Sequence, residues 1–157
     1  MSVENVKKYL AQYSLDNRVK EFELSSATVE LAAKAVGTQG CRIAKTLSFK
    51  EGDGCILVVT AGDMKIDNSK FKAQFGMKAK MLDFEEIEPL TGHKAGGVCP
   101  FANPDGVKVY LDVSLKRFET VFPAAGSSNS ALELTIEELE RASRAIEIVD
   151  VCKTIEA

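Results

Sequence analysis

The chain has 157 residues, 45% of them apolar and 27% charged, with a formal net charge of −3. That length and composition favour one soluble domain with one sizeable core. They exclude a duplex-coating basic protein, and no apolar run approaches the ~20 residues a membrane helix needs. The first fourteen residues read as an amphipathic helix, with Ser2 as cap and Val6, Tyr9, Leu10 and Tyr13 on one face. They have neither the apolar core nor the small-residue cleavage site of a secretion signal, so a cytoplasmic location is expected. Residues 18–24 alternate and predict a strand. Ser25 or Ser26 then caps a short helix that Gly37 stops. Ile43 to Phe49 and Cys55 to Thr60 flank Glu51-Gly52-Asp53-Gly54 and predict a hairpin. A helix over 67–75 has Asp67 as cap and Gly76 as stop. Lys78 to Leu82 predicts a short strand. A helical turn from Asp83 is expected to end before Pro89.

Residues 91–106 hold four of the eleven glycines and two of the four prolines and read as a long irregular loop. Val107 to Leu111 predicts a strand, 114–118 a helical turn and 119–124 another strand. After a loop at 126–129, Ser130 to Leu134 predicts a strand. Thr135 and Glu138 form a capping box for a helix over 136–144, and Ile146 to Val151 closes the sheet. About seven short strands and five helices, partly alternating and partly in hairpins, predict an α+β (mixed α/β) class and a single domain over 1–157.

The loop is the most informative segment. Gly96 and Gly97 allow close backbone approach, and Pro100 fixes the far end. Such a Gly-x-x-x-Pro loop can turn amide groups towards a carbonyl or oxyanion. It is equally a tight connection with no ligand. His93, the only histidine, is either a substrate-orienting group and proton carrier or a loop histidine bonded to backbone. Cys99 lies six residues later, which leaves a cysteine–histidine nucleophile open. The zinc-deaminase pattern fails, because Ala95 stands where glutamate is needed and Cys99 has no partner cysteine. The four cysteines, Cys41, Cys55, Cys99 and Cys152, have no paired spacing and read as reduced, buried thiols. Lys45 shares a strand face with Ile43 and Leu47, so it must snorkel, pair, or line a cavity, unless it guards a sheet edge. The phosphate-loop, dinucleotide and nucleophile-elbow motifs are missing.

Three ordered segments together resemble the YbaK/EbsC family of aminoacyl-tRNA deacylases, which is similar to the editing domain inserted in bacterial prolyl-tRNA synthetases. They are Ile43-Ala44-Lys45-Thr46-Leu47-Ser48-Phe49, Thr91-Gly92-His93-Lys94-Ala95-Gly96-Gly97-Val98-Cys99-Pro100-Phe101, and Val109-Tyr110-Leu111-Asp112, with Ala61-Gly62-Asp63 between the first two. The similarity runs over roughly residues 20–150. It implies a central mixed, barrel-like sheet with surrounding helices. It also implies hydrolysis of an aminoacyl ester, such as a cysteinyl or alanyl ester on tRNA for proline, with no metal or organic cofactor. Its expected partners are the aminoacyl-tRNA acceptor end and prolyl-tRNA synthetase, with no membrane and no DNA. The resemblance gives Lys45 the acceptor end to hold. It gives the backbone of Gly96, Gly97, Val98, Cys99 and Pro100 the aminoacyl group to frame. Thr46, Gly92, His93, Asp112 and Asn129 complete the expected substrate contacts. Asn129 matches an asparagine that follows a His-Pro-Leu segment in some relatives. That histidine is absent here, which speaks against the alanine-specific branch. A non-catalytic module for aminoacyl-tRNA or another nucleotide is the competing expectation.

Overall fold

The hairpin organises the sheet. The computed structural model describes residues 2–23 and 28–155. It follows a first helix α1 (Ser2–Ala11), a two-residue strand β1 (Lys20–Glu21) and a helix α2 (Val29–Val36). Strands β2 (Ile43–Glu51) and β3 (Gly54–Ala61) then pair antiparallel from Glu51↔Gly54 to Ala44↔Ala61. Gly52 takes φ +57°, a conformation a side chain resists, and so permits the tight turn.

Seven of the eight β3 residues are buried, so this strand is covered on both faces. Its period of two divides the core. Leu57, Val59 and Ala61 join a large cluster with α1 and the 91–106 loop, through Val6, Leu10, Cys99 and Phe101. Ile56 and Val58 face a second cluster with Phe49 and Phe71. There Phe49, Phe71, Phe75 and Tyr110 stack in a chain with ring centroids 4.7–4.9 Å apart, each contact worth about 0.5–1.5 kcal/mol beyond area burial.

Further along the chain come β4 (Met64–Ile66), α3 (Asn68–Phe75), α4 (Phe84–Thr91), β5 (Lys108–Asp112), β6 (Thr120–Pro123), β7 (Ser130–Ala131), β8 (Leu134–Thr135), α5 (Ile136–Ser143), β9 (Glu147–Val149) and β10 (Cys152–Thr154). The main sheet has the order β8-β6-β2-β3-β5-β9 and mixes parallel with antiparallel neighbours. The ribbons β1–β7 and β4–β10 stand beside it. The mixed α/β class is therefore as expected, with six strands in the sheet instead of about seven.

Several boundaries differ from expectation. The strand over 18–24 shrinks to Lys20–Glu21, paired with Ser130–Ala131. Thr28 caps α2, its hydroxyl accepting from the Leu31 N–H at 3.2 Å. Ser25, Ser26 and Leu24 lie outside the described residues, as does the side chain of Ser2. Lys78–Leu82 contributes only a bridge, Phe49↔Met81. The stretch 130–134 splits, because Leu132 turns inward at 2% exposure between two different pairings. Residues 146–151 also divide, with β9 in the main sheet and Cys152–Thr154 in a ribbon. Helix α4 runs through Pro89 to Thr91 instead of ending before it. The proline lacks one amide, but Thr91 Oγ1 donates to Ile87 O at 2.6 Å and Gly92 N–H to Glu88 O at 2.9 Å, which holds the last turn. Gly92 at φ +84° then ends it.

Candidate functional site

Strand β2 has an incompletely paired outer edge. Strand β6 meets it only at Ile43 and Ala44, and the next contact along that edge is Phe49↔Met81. Between these two points a cavity of about 330 Å3 opens, lined by Lys45, Thr46 and Leu47 from the strand and by Gly96 and Val98 from the loop. Val29 and Ala32 of α2 form part of the opposite wall. Gly62 makes this wall possible. A Cβ there would stand 2.1 Å from Gly40 O and 2.8 Å from Val29 Cγ1, so only glycine lets the β3–β4 turn lie against the entry to α2.

The loop is tied down on every side. Gly96 has φ +88°, and the Gly97 N–H closes a turn onto Lys94 O at 2.9 Å. The Gly97 backbone rests on the 126–127 loop so closely that a Cβ would meet Ser127 Cα at 2.8 Å and Gly126 C and O at 3.0 Å. Asn103 Nδ2 donates to Thr91 O at 2.8 Å and to Cys99 O at 3.1 Å, joining the two ends of the loop. Among the described residues, the N–H groups of Gly96 and Val98 donate to no protein acceptor. Pro100 is buried at the far end.

Lys45 is half-buried, and its ammonium donates to Met64 O. Burial pulls its pKa below the usual lysine value, against the weaker opposing pull of Cys152, Asp63 and Glu30. Among the described residues no carboxylate lies within ion-pair distance of it. Asp63 is held instead by Arg117, through contacts of 3.0 and 2.6 Å. Beside Lys45, burial pushes the Cys152 thiol up to about 12, so it stays neutral. Thr46 Oγ1 is buried without a hydrogen-bond partner among the described residues. A lysine whose ammonium has no paired anion thus lines the hollow, beside a threonine whose buried hydroxyl has no partner among the described residues. Buried polar groups are otherwise almost always satisfied.

The remaining expected site residues do not line this hollow. Cys99 is 0% exposed and His93 1% exposed. Burial raises the Cys99 thiol to about 12 and lowers the His93 pKa. His93 Nε2 lies 2.7 Å from Phe101 O and 3.4 Å from Cys99 Sγ. The carbonyl requires the proton on Nε2, so that nitrogen cannot serve as a base towards the thiol. The cysteine–histidine nucleophile is therefore corrected: both side chains are sealed from substrate, and His93 positions the loop. Asp112 is likewise buried, away from this hollow. It is 0% exposed and accepts from the Ser114 and Val151 amides at 3.0 Å each. Asn129 Nδ2 donates to Phe22 O at 2.8 Å and its Oδ1 accepts from Ser127 Oγ at 2.8 Å, so it clips the second loop in place. Gly92 caps α4 against Pro104. Asn103 and Ser130 escape the sequence reading. Asn103 could have been suspected as an Asx residue in a glycine- and proline-rich loop. Ser130, fully buried on the cavity wall, carries no local signal.

A larger hollow of about 740 Å3 lies alongside and shares Phe122 and Ala131. It contains no part of the 91–101 loop, and its Arg18 and Glu138 neutralise each other at 2.6 Å. Volume and chemistry disagree here, and the half-buried Lys45 beside the loop favours the smaller cavity.

Comparison with known proteins bears on the family. The chain is 55% identical to the uncharacterized protein YwhH of Bacillus subtilis, over 98% of each chain. It is 29% identical to a proline–tRNA ligase of Caldicellulosiruptor bescii, over 65% of this chain but only 18% of that enzyme. The crystal structure of a "putative trans-editing enzyme for prolyl tRNA synthetase" superposes with a TM-score of 0.88 at 28% identity, over 97% of each chain. Residues 24–142 match the model of the aminoacyl-tRNA editing domain, and the chain belongs to that family.

Proposed function

We propose that residues 1–157 form a single editing domain that hydrolyses the ester of a mischarged tRNA. The expected substrate is a small amino acid, such as cysteine or alanine, on tRNA for proline. The setting is cytoplasmic, with prolyl-tRNA synthetase as a partner. What carries the reading is the meeting of a half-buried, unpaired Lys45 with the Gly96–Val98 backbone at one cavity. The cavity volume lies at the lower end of the range for small-ligand sites. Lys45 pairs with a phosphate beside the terminal adenosine. The loop amides take the developing charge on the ester oxygen. Water adds to the carbonyl carbon, the ester C–O bond breaks, and the departing ribose oxygen takes up the proton that water loses. The products are a free amino acid and a tRNA with its hydroxyl restored. An aminoacyl ester is already activated, so orientation and charge stabilisation suffice without a protein nucleophile or metal. A small cavity selects small side chains, at about 1–3 kcal/mol per methylene.

Lys45→Ala tests this against a panel of charged and mischarged tRNAs. The variant should melt no lower than the parent, since it removes a desolvated charge, and should lose at least about a hundredfold in deacylation. Full activity would refute the assignment. A non-catalytic aminoacyl-tRNA binder is the second reading. It draws on Lys45 being the only titratable side chain on the cavity wall among the described residues. It predicts tRNA binding with every ester left intact.

A further inference from the structure

Beside the cavity the surface charge changes sign. Residues 64–81 hold five lysines against a single acid, Asp67, in a chain of net charge −3. Lys65, Lys72, Lys78 and Lys80 are exposed, and among the described residues none of them forms an ion pair. Lys70 is taken up by Asp150 at 3.0 Å. Asp83, within electrostatic reach of Lys80, is already bonded to Lys50 at 3.0 Å.

Strand pairing and a shared hollow bring four of the lysines together in pairs. Strands β4 and β10 set Lys65 directly opposite Lys153. Like charges facing across an antiparallel pair oppose folding, so stability does not explain them. Lys72 and Lys78 line one shallow hollow with Asn68 and Ser69. Helix α3, which carries Lys72, is joined to β10 by Lys70 Nζ and Cys152 O at 3.2 Å. Lys65 and Lys80 each stand one residue from a group at or beside the cavity. Met64 O takes the Lys45 ammonium one residue from Lys65. Met81, one residue from Lys80, lines the cavity.

We propose that the face formed by Lys65, Lys72, Lys78, Lys80 and Lys153 binds the phosphate backbone of the RNA stem whose 3′ end enters the cavity. This rests on the deacylase reading and adds to it where the body of the substrate lies. Several exposed ammonium groups without ion pairs suit a phosphate backbone, and the counterions they release drive binding. An acidic protein surface would suit the same charges. A face serving that purpose would not alter the rate of the purified protein on free tRNA.

The test compares a full-length mischarged tRNA with the same amino acid esterified to a CCA trinucleotide. Lys72→Glu with Lys78→Glu should lower kcat/KM on the tRNA at least about tenfold at low salt. The slope of log kcat/KM against log salt should become shallower by about 1.5, at 0.7–0.9 per phosphate lost. Hydrolysis of the trinucleotide ester should stay within about twofold. Lys65→Gln with Lys153→Gln should give a smaller loss of the same kind and melt no lower than the parent. An unchanged rate on tRNA, an equal loss on both substrates, or a parent protein no faster on tRNA than on the trinucleotide would overturn the proposal. If the parent cleaves neither ester, the deacylase reading fails on its own. Salt-dependent binding of the uncharged tRNA by the same variants then decides whether the face holds RNA.

Discussion

Gly97→Ala asks whether the loop must sit where it does. The added methyl would stand 2.8 Å from Ser127 Cα and 3.0 Å from both Gly126 C and Gly126 O, against the 3.4–4 Å of ordinary contact. All three are backbone atoms, so no rotamer change relieves the overlap. Retreat of the 126–130 loop is opposed by Ser127 Oγ bonds to Asn129 and Ser130 at 2.8 Å each, and by Asn129 to Phe22 at 2.8 Å. On the other side Asn103 holds Cys99 O. Something must yield by roughly 0.5–1 Å, at an overpacking cost of about 1–3 kcal/mol. On the deacylase reading, a misplacement of these amides near 1 Å costs about a hundredfold in rate. The assay is single-turnover deacylation of a mischarged tRNA, alongside urea unfolding. Gly106→Ala is the control. Gly106 has φ +93° but nothing within 4 Å of its missing Cβ, so it pays backbone strain of about 1–2 kcal/mol without touching the cavity. Deacylation by Gly97→Ala within twofold of the parent, or an equal rate loss in Gly106→Ala, would refute the positioning argument.

Two further outcomes follow from the buried pair behind the loop. Cys99→Ala should lose about 1–2 kcal/mol of stability by cavity formation and keep deacylation within about threefold. Abolished hydrolysis with an unchanged melting temperature would restore the thiol as nucleophile. For His93, burial depresses the folded pKa, so the unfolded chain binds a proton that the folded chain refuses. Its contribution to stability is full above about pH 6.5 and falls below it, by up to about 1.4 kcal/mol per pH unit, until the folded pKa is reached. Urea midpoints at pH 7.5, 6.5 and 5.5 should show the fall in the parent and a flatter profile in His93→Leu. A flat parent profile would mean that the ring is not held neutral.

The alternation of β2 and the Gly52 turn made the hairpin legible, because both signals are local. The capping residues Asp67 and Thr135 were legible for the same reason: each side chain accepts an amide three residues on. The short ribbons were not. Lys20–Glu21 and Ser130–Ala131 are two-residue strands whose pairing depends on a partner more than a hundred residues away. Met64–Ile66 likewise has no strand pattern until Cys152–Thr154 lies beside it. Pro89 misled because its missing amide weighed more in the reading than the Thr91 hydroxyl, which restores the helix end.

The same division between local and distant signals explains the site. Lys45 could be recognised as misplaced from its neighbours alone, since an ammonium between Ile43 and Leu47 needs some exit from the core. Its address could not, because the Met64 carbonyl that receives it belongs to a strand invisible in the local pattern. Cys99 and His93 erred the other way. Their residue types invited a reaction, but type and spacing do not report exposure. At 0% and 1% exposure they act on the loop from beneath. On the deacylase reading, the chemistry is thereby left to groups with no reactive signature: a strand lysine and the amides beside two glycines. Such a site is specified by what holds it, and substitutions at Gly97, Asn103 and His93 should therefore damage it as surely as substitutions in the cavity wall.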